Sequence, residues 1–135
     1  MNIKPKTFGP VVAFYDGSET TRYACHLVSD RSPHPPAGSP VDMLLASLAY
    51  CFVKSVEWAA KDHKASLHPF AVKVTGTKAL DLPGRVERMD VVIIGDLVDD
   101  SLGAGRIVKL AKSICTVSNT LNCAVMMSTE RAADD

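Results

Sequence analysis

Hydrophobic and polar positions change rhythm several times along this chain of 135 residues, and each rhythm predicts an element. GPVVAFYDGSETTRYACHLVSD, residues 9–30, reads as two or three short strands with a turn at Asp16-Gly17. RSPHPPAGSP follows, rich in Pro and Ser, and reads as a loop of restricted flexibility. At Ser39 the pattern turns helical. Ser39 suits the N-cap, Pro40 the first helical position and Asp42 the acid of a capping box. The helix is expected from Pro40 to about Lys61. Its middle, LLASLAYCFVKSV, is apolar on every side, which predicts burial all round. One small domain does not surround such a helix easily, so a second subunit is expected to cover part of it.

Further along, Phe70, Val72 and Val74 alternate with Ala71, Lys73 and Thr75, the pattern of a half-buried strand. Leu82-Pro83-Gly84 makes a turn, and RVERMDVVIIGDL supplies an antiparallel partner with Met89, Val91 and Ile93 on one face. Asp99, Asp100 and Ser101 are cap candidates for a second helix, in which Ile107, Leu110, Ala111 and Ile114 keep amphipathic spacing. Gly103 and Gly105 weaken its first turn. TVSNTL reads as a short further helix and AVMMSTE as a closing strand. The sum is a single α+β domain over residues 1–135, with antiparallel strands packed on one side by helices.

Composition narrows the function classes. Fifteen basic residues balance fifteen acidic ones, so no polyanion partner is indicated and no nucleic-acid partner is expected. The N-terminal MNIKPKTFGP has no apolar core of a secretory signal, and RAADD has no lipidation motif. The apolar stretch from Met43 to Val53 is shorter than the roughly 20 residues of a membrane span. A cytoplasmic protein with no membrane partner is the expectation, and in that compartment four cysteines argue against two structural disulfides. His26, His34, His63 and His68 have no metal-ligand spacing with the cysteines, so neither a metal nor another cofactor is expected.

Cys25, in a strand, and Cys123, at the start of the last one, read as packing residues. Cys51 in its apolar helix is filler by default, because burial raises a thiol's pKa and quiets it. Cys115 ends the second helix just before the short one, where unpaired N–H groups would favour a thiolate. Spacing alone does not pair these two thiols.

A resemblance bears on them. Ser39, Pro40, Leu44, Ala46, Leu48 and Cys51 in GSPVDMLLASLAYC, with Cys115, Val117, Ser118, Thr120 and Leu121 in KSICTVSNTL, resemble the paired signature of the OsmC/Ohr family. These are the osmotically inducible and organic hydroperoxide resistance proteins. The likeness covers roughly residues 11–131. It implies an OsmC-like α+β fold, with antiparallel sheets on a long central buried helix in an intertwined homodimer. It also implies a thiol peroxidase. Cys51 would attack an organic hydroperoxide and become a sulfenic acid, Cys115 would condense with it to a disulfide, and an external dithiol would reduce the bridge. Phe52 and Trp58 are candidate walls of the substrate pocket, or plain core.

In the better-known branches an arginine, held by a glutamate ten positions before the cysteine, activates the thiol. Val41 stands at that position here, and the acid is Asp42, as in a further, less characterised branch. Nine helical residues put Asp42 about 13 Å from Cys51 on the opposite face, so it would act across a dimer interface or simply cap the helix. Arg31 is preferred over Arg22 as the arginine, since its loop leads to the helix start. Thr116 replaces the proline usual after the second cysteine. Two other readings remain: a non-enzymatic protein binding a small lipophilic ligand at the dimer interface, and a redox sensor.

Overall fold

Strand β1, Thr7–Tyr15, sets the frame. The computed structural model describes residues 5–36 and 38–131, so parts of both terminal stretches and one position of the Pro-rich loop lie outside the described residues. β1 alternates sides. Val11 and Ala13 face one cluster of buried residues, while Val12 and Phe14 face another. β2, Arg22–Ala24, pairs with β1 antiparallel across the bends after Asp16, with Phe14 opposite Arg22 and Ala13 opposite Tyr23.

Helix α1, Pro40–Asp62, starts as the sequence suggests. Pro40 takes the first position, and the Ser39 hydroxyl accepts the Asp42 N–H at 3.1 Å. The return bond from the Asp42 carboxylate is not among those the described residues make, so the box is half formed. The carboxylate lies instead against Gly38, where a Cβ would meet Asp42 Oδ2 at 3.0 Å.

β3, Phe70–Lys78, and β4, Val86–Ile94, form the expected antiparallel pair through Leu82-Pro83-Gly84. Met89, Val91 and Ile93 are fully buried on one face. Helix α2, Ser101–Ile114, is capped by Asp100, which accepts the Leu102 N–H at 3.1 Å, and buries Ile107 and Ala111. The cap and this apolar seam hold the helix despite Gly103 and Gly105. A five-residue helix α3, Thr116–Thr120, leads to β5, Ala124–Glu130.

The sheet order is β2-β1-β3-β4-β5. All pairs are antiparallel except β4 with β5, which run parallel. The expectation of purely antiparallel strands is corrected there. Between them α2 and α3 carry the chain back along the sheet, as a parallel connection requires.

Helix α1 lies on the inner sheet face, with Leu45, Leu48, Phe52, Val53 and Val56 packed among Val11, Val72, Val74, Met89 and Val91. By length and composition it could cross a bilayer, but more than half of its apolar stretch is buried in this chain. Two glycines seat it. At Gly9, with φ +88°, a Cβ would lie 3.0 Å from Leu45 Cδ1, and at Gly76 3.3 Å from Leu45 Cδ2. Burial of α1 is not complete. Met43, Leu44, Tyr50 and Trp58 remain exposed along one stripe, the part of the helix that this chain does not cover.

Candidate active site

Cys51 stands at mid-length of α1, half-buried, beside the exposed stripe. Cys115 occupies the joint between α2 and α3, being the C-cap of one and the N-cap of the other, and is fully buried. Its extended backbone, φ −71° and ψ 100°, breaks the helix at that point. The joint is stapled on both sides. The Asn119 N–H donates to the Cys115 carbonyl at 3.0 Å, and the Asn119 side chain donates to the Ser113 carbonyl at 3.0 Å. Thr120 returns its hydroxyl to the Thr116 carbonyl at 2.7 Å. These bonds fix α3 without the proline that Thr116 replaces.

The fold brings the two thiols together although they stand 64 positions apart in the chain. Cys51 packs against the buried cluster that contains Cys115, and both it and Ser55, one helical turn further along α1, are near enough to bias the Cys115 proton. All four cysteines are free thiols. Burial pushes the Cys115 thiol up to about 12. The Ser118 N–H pulls the other way, too loosely to form a cap bond, the adjacent Cys51 adds to the rise, and Ser55 opposes it. A helix start was expected to favour a Cys115 thiolate; here the desolvation of a fully buried sulfur outweighs it.

The arrangement has a direct chemical meaning. A Cys115 thiol that keeps its proton is a proton source near Cys51. Cys51 is the more accessible of the two, as a nucleophile toward an outside oxidant must be.

The other predicted site residues stand elsewhere. The Arg31 guanidinium lies 3.7 Å from the centre of the Phe14 ring. Phe14 faces the cluster on the side of the sheet away from α1, so within one protomer Arg31 does not reach Cys51. Arg22, opposite Phe14 in the ladder, is exposed on that same outer face. Asp42 sits at the helix start, in a shallow cleft shared with Lys6, Cys25 and His26. Phe52 is fully buried core, whereas Trp58 is 54% exposed and lines a cleft with Tyr15, Lys54 and Glu57. Cys25 lies just beyond β2 and is exposed, so packing is not its role; Cys123 stands one residue ahead of β5, partly buried against the core.

Sequence reasoning passed over Ser55, Asn119 and the pair Tyr23–Tyr50. The two tyrosine rings meet edge to face at 6.4 Å beside Cys51, and burial raises the Tyr23 hydroxyl pKa, with Tyr50 adding to the rise. A polar Ser55 amid the apolar positions Phe52, Val53, Val56 and Ala59 was the available signal.

Comparison with known proteins gives a consistent picture. A family model described as OsmC-like protein matches residues 33–130. No curated protein matches. Among solved structures, an OsmC-like protein from Mycoplasma pneumoniae superposes with a TM-score of 0.62 at 12% identity, covering 98% of this chain and all of that one. An organic hydroperoxide resistance protein from Legionella pneumophila gives 0.54 at 14% identity, covering 93% and 98%. The organic hydroperoxide resistance protein OhrB of Bacillus subtilis gives 0.57 at 16% identity, covering 96% and 98%. At these identities the solved structures establish the fold.

Proposed function

The chain belongs to the OsmC-like protein family, and from that premise we propose that it is a thiol-dependent peroxidase for organic hydroperoxides. The observation that supports this reading is that Cys51 of α1 packs against the buried cluster that contains Cys115 of the α2–α3 joint, near enough to bias its proton.

In this reading the Cys51 thiolate attacks the terminal oxygen of the hydroperoxide. The O–O bond breaks, Cys51 becomes a sulfenic acid, and the alkoxide leaves as an alcohol after taking up a proton. The Cys115 proton is at hand for that transfer, which leaves Cys115 as the thiolate that the next step needs. Attack of Cys115 on the Cys51 sulfur then forms the disulfide and expels hydroxide, which is protonated to water. An external dithiol reduces the bridge by exchange and is itself oxidised to a disulfide. No cofactor enters the cycle.

The exposed stripe of Met43, Leu44, Tyr50 and Trp58 beside Cys51 supports a homodimer whose second copy covers it and completes an apolar substrate pocket. Asp42 and Arg31 would then act, where they act on chemistry at all, from one protomer on the other. A single domain working in the cytoplasm completes the proposal. A second reading, an interface site for a small lipophilic ligand, is favoured by the distance of both arginines from the thiols within one protomer.

One experiment separates these readings. Reduced protein receives one equivalent of cumene hydroperoxide or of hydrogen peroxide, the cysteines are mapped by mass spectrometry, and turnover is followed with a dithiol. A Cys51–Cys115 bridge that forms faster with the organic peroxide and is recycled supports the peroxidase. Unreacted thiols, or unchanged turnover in both Cys51→Ser and Cys115→Ser, would sink it.

A further inference from the structure

The two edges of the sheet are finished differently. β2 has three residues and is covered by the chain's own loop, where Tyr23 and Ser32 exchange backbone bonds of 2.7 and 2.9 Å. β5 is the other edge. It has seven residues, carries no proline and no charge before Glu130, and among the described residues pairs with no strand but β4. An open row of backbone N–H and C=O groups of that length is a template for a further strand.

Beside that edge, α2 and β5 wall a groove in two adjoining parts of about 600 and 510 Å³, which share Gly105 and Val108. Gly105, Val108, Lys109 and Lys112 keep the spacing of one helix face. Gly105 weakens α2, yet a Cβ on it would meet nothing within 4 Å, so close packing within this chain does not require it. Its effect is to leave the groove wide at its middle. Charge is sorted along the groove. Lys109 and Lys112 stand at the end by Met127, while Asp96, Asp99 and Glu130 stand at the other with Arg131 as the opposing charge.

We propose that this groove is a docking site for an extended peptide segment of another protein, added antiparallel to β5 as a further strand of the sheet. Antiparallel pairing is the more stable per residue. In that direction the segment starts beside the carboxylates and ends beside Lys109 and Lys112, so it is basic at its start and acidic at its end. Every second side chain points into the groove, toward Val108 and the space at Gly105, and those positions are apolar. A second copy of this chain fits less well. Laid antiparallel, its β5 would bring Glu130 to the lysines but only uncharged Asn122, Cys123 and Ala124 to the carboxylates.

The test titrates ¹⁵N-labelled protein with the peptide Lys-Ser-Val-Thr-Val-Ser-Glu, blocked at both ends. Saturable binding is expected in the submillimolar range, with amide shifts along β5 and α2 and slower hydrogen exchange in β5. Swapping the terminal Lys and Glu of the peptide should weaken binding about tenfold, the weight of two exposed ion pairs turned repulsive. Lys109→Glu with Lys112→Glu should remove that preference, and both lysines are exposed, so the fold is not at stake. Gly105→Leu fills the space and strengthens the helix, so it should abolish binding of the first peptide without lowering the urea midpoint. Absence of shifts in β5 at millimolar peptide overturns the proposal, as do equal affinity for the two charge orders and undiminished binding in Gly105→Leu. Protection of β5 amides that rises with protein concentration in peptide-free samples also overturns it, by assigning the edge to a second copy.

Discussion

Arg31 caps Phe14: the guanidinium stands 3.7 Å from the ring centre, on the face of the sheet opposite α1. A planar cation at that distance stacks on the ring and shields it from water. The ring is only 4% exposed, so the cation is part of what keeps the second apolar cluster covered.

Arg31→Ala is therefore expected to lower stability by about 1 kcal/mol, with Arg31→Lys intermediate. Urea unfolding checks this. The oxidation rate of Cys51 by one equivalent of hydroperoxide should change less than about threefold, since one kcal/mol or less separates such rates. A hundredfold loss of that rate with stability intact would instead make Arg31 the activating cation, reaching Cys51 from a second protomer.

Gly9 carries a different burden. It holds φ +88° at the bulge in β1, and any Cβ there would press on Leu45 Cδ1 and the Val74 carbonyl, both at 3.0 Å. Gly9→Ala combines backbone strain with a clash against the side chain that seats α1. A loss of about 2–4 kcal/mol is expected. Gly17 is the control, with φ +95° but open space around it, where the same substitution should cost about 1 kcal/mol. Equal losses at the two sites would show that Leu45 is free to move aside.

Much of this was legible in the chain, because local chemistry wrote it. Ser39 and Pro40 open a helix by capping rules that need no neighbour, and Met89, Val91 and Ile93 announce a buried strand face by their alternation. The direction of β5 was not legible, since AVMMSTE reads alike whichever way its partner runs. That one chain would leave part of α1 uncovered was expected, but not which side: periodicity counts apolar positions, and the stripe of Met43, Leu44, Tyr50 and Trp58 is apolar yet left uncovered by this chain. The two thiols could be picked out through a family likeness, but that Cys51 packs against the cluster holding Cys115 is a long-range fact of the fold. The arginine was chosen by proximity in sequence, and the sheet stands between it and the helix.

That stripe should govern self-association. Trp58 is 54% exposed on the outer face of α1, so Trp58→Glu adds a charge without opening the core. The protomer is expected to unfold at nearly the same urea concentration when measured at low protein concentration. Association measured by analytical ultracentrifugation should weaken at least a hundredfold, as an aromatic at the centre of an apolar contact warrants. Glu57 on the same turn adds like-charge repulsion. A wild-type chain that sediments as a monomer at high concentration would remove the stripe from any interface between copies.

Alkaline pH should probe Cys115 directly. Its thiol titrates near 9.0 in the unfolded chain and is pushed up to about 12 in the fold, chiefly by burial. Between those values the folded state keeps a proton that the unfolded state has lost. The stability linked to that proton is thus fully present below pH 9 and declines as pH rises toward 12, by no more than about 1.4 kcal/mol per pH unit. The Tyr23 hydroxyl, also raised by burial, works in the same direction. Cys115→Ser removes the thiol and keeps Tyr23, so the difference between the two proteins isolates the sulfur. Urea unfolding at pH 8, 9 and 10 should show the wild type losing stability faster than Cys115→Ser. Wild-type protein oxidised to the Cys51–Cys115 bridge has no Cys115 thiol left to titrate and should follow the variant's shallower slope. Parallel slopes in all three would mean that the Cys115 sulfur ionises in the fold as easily as in water. Burial would then not be what keeps its proton in place beside Cys51.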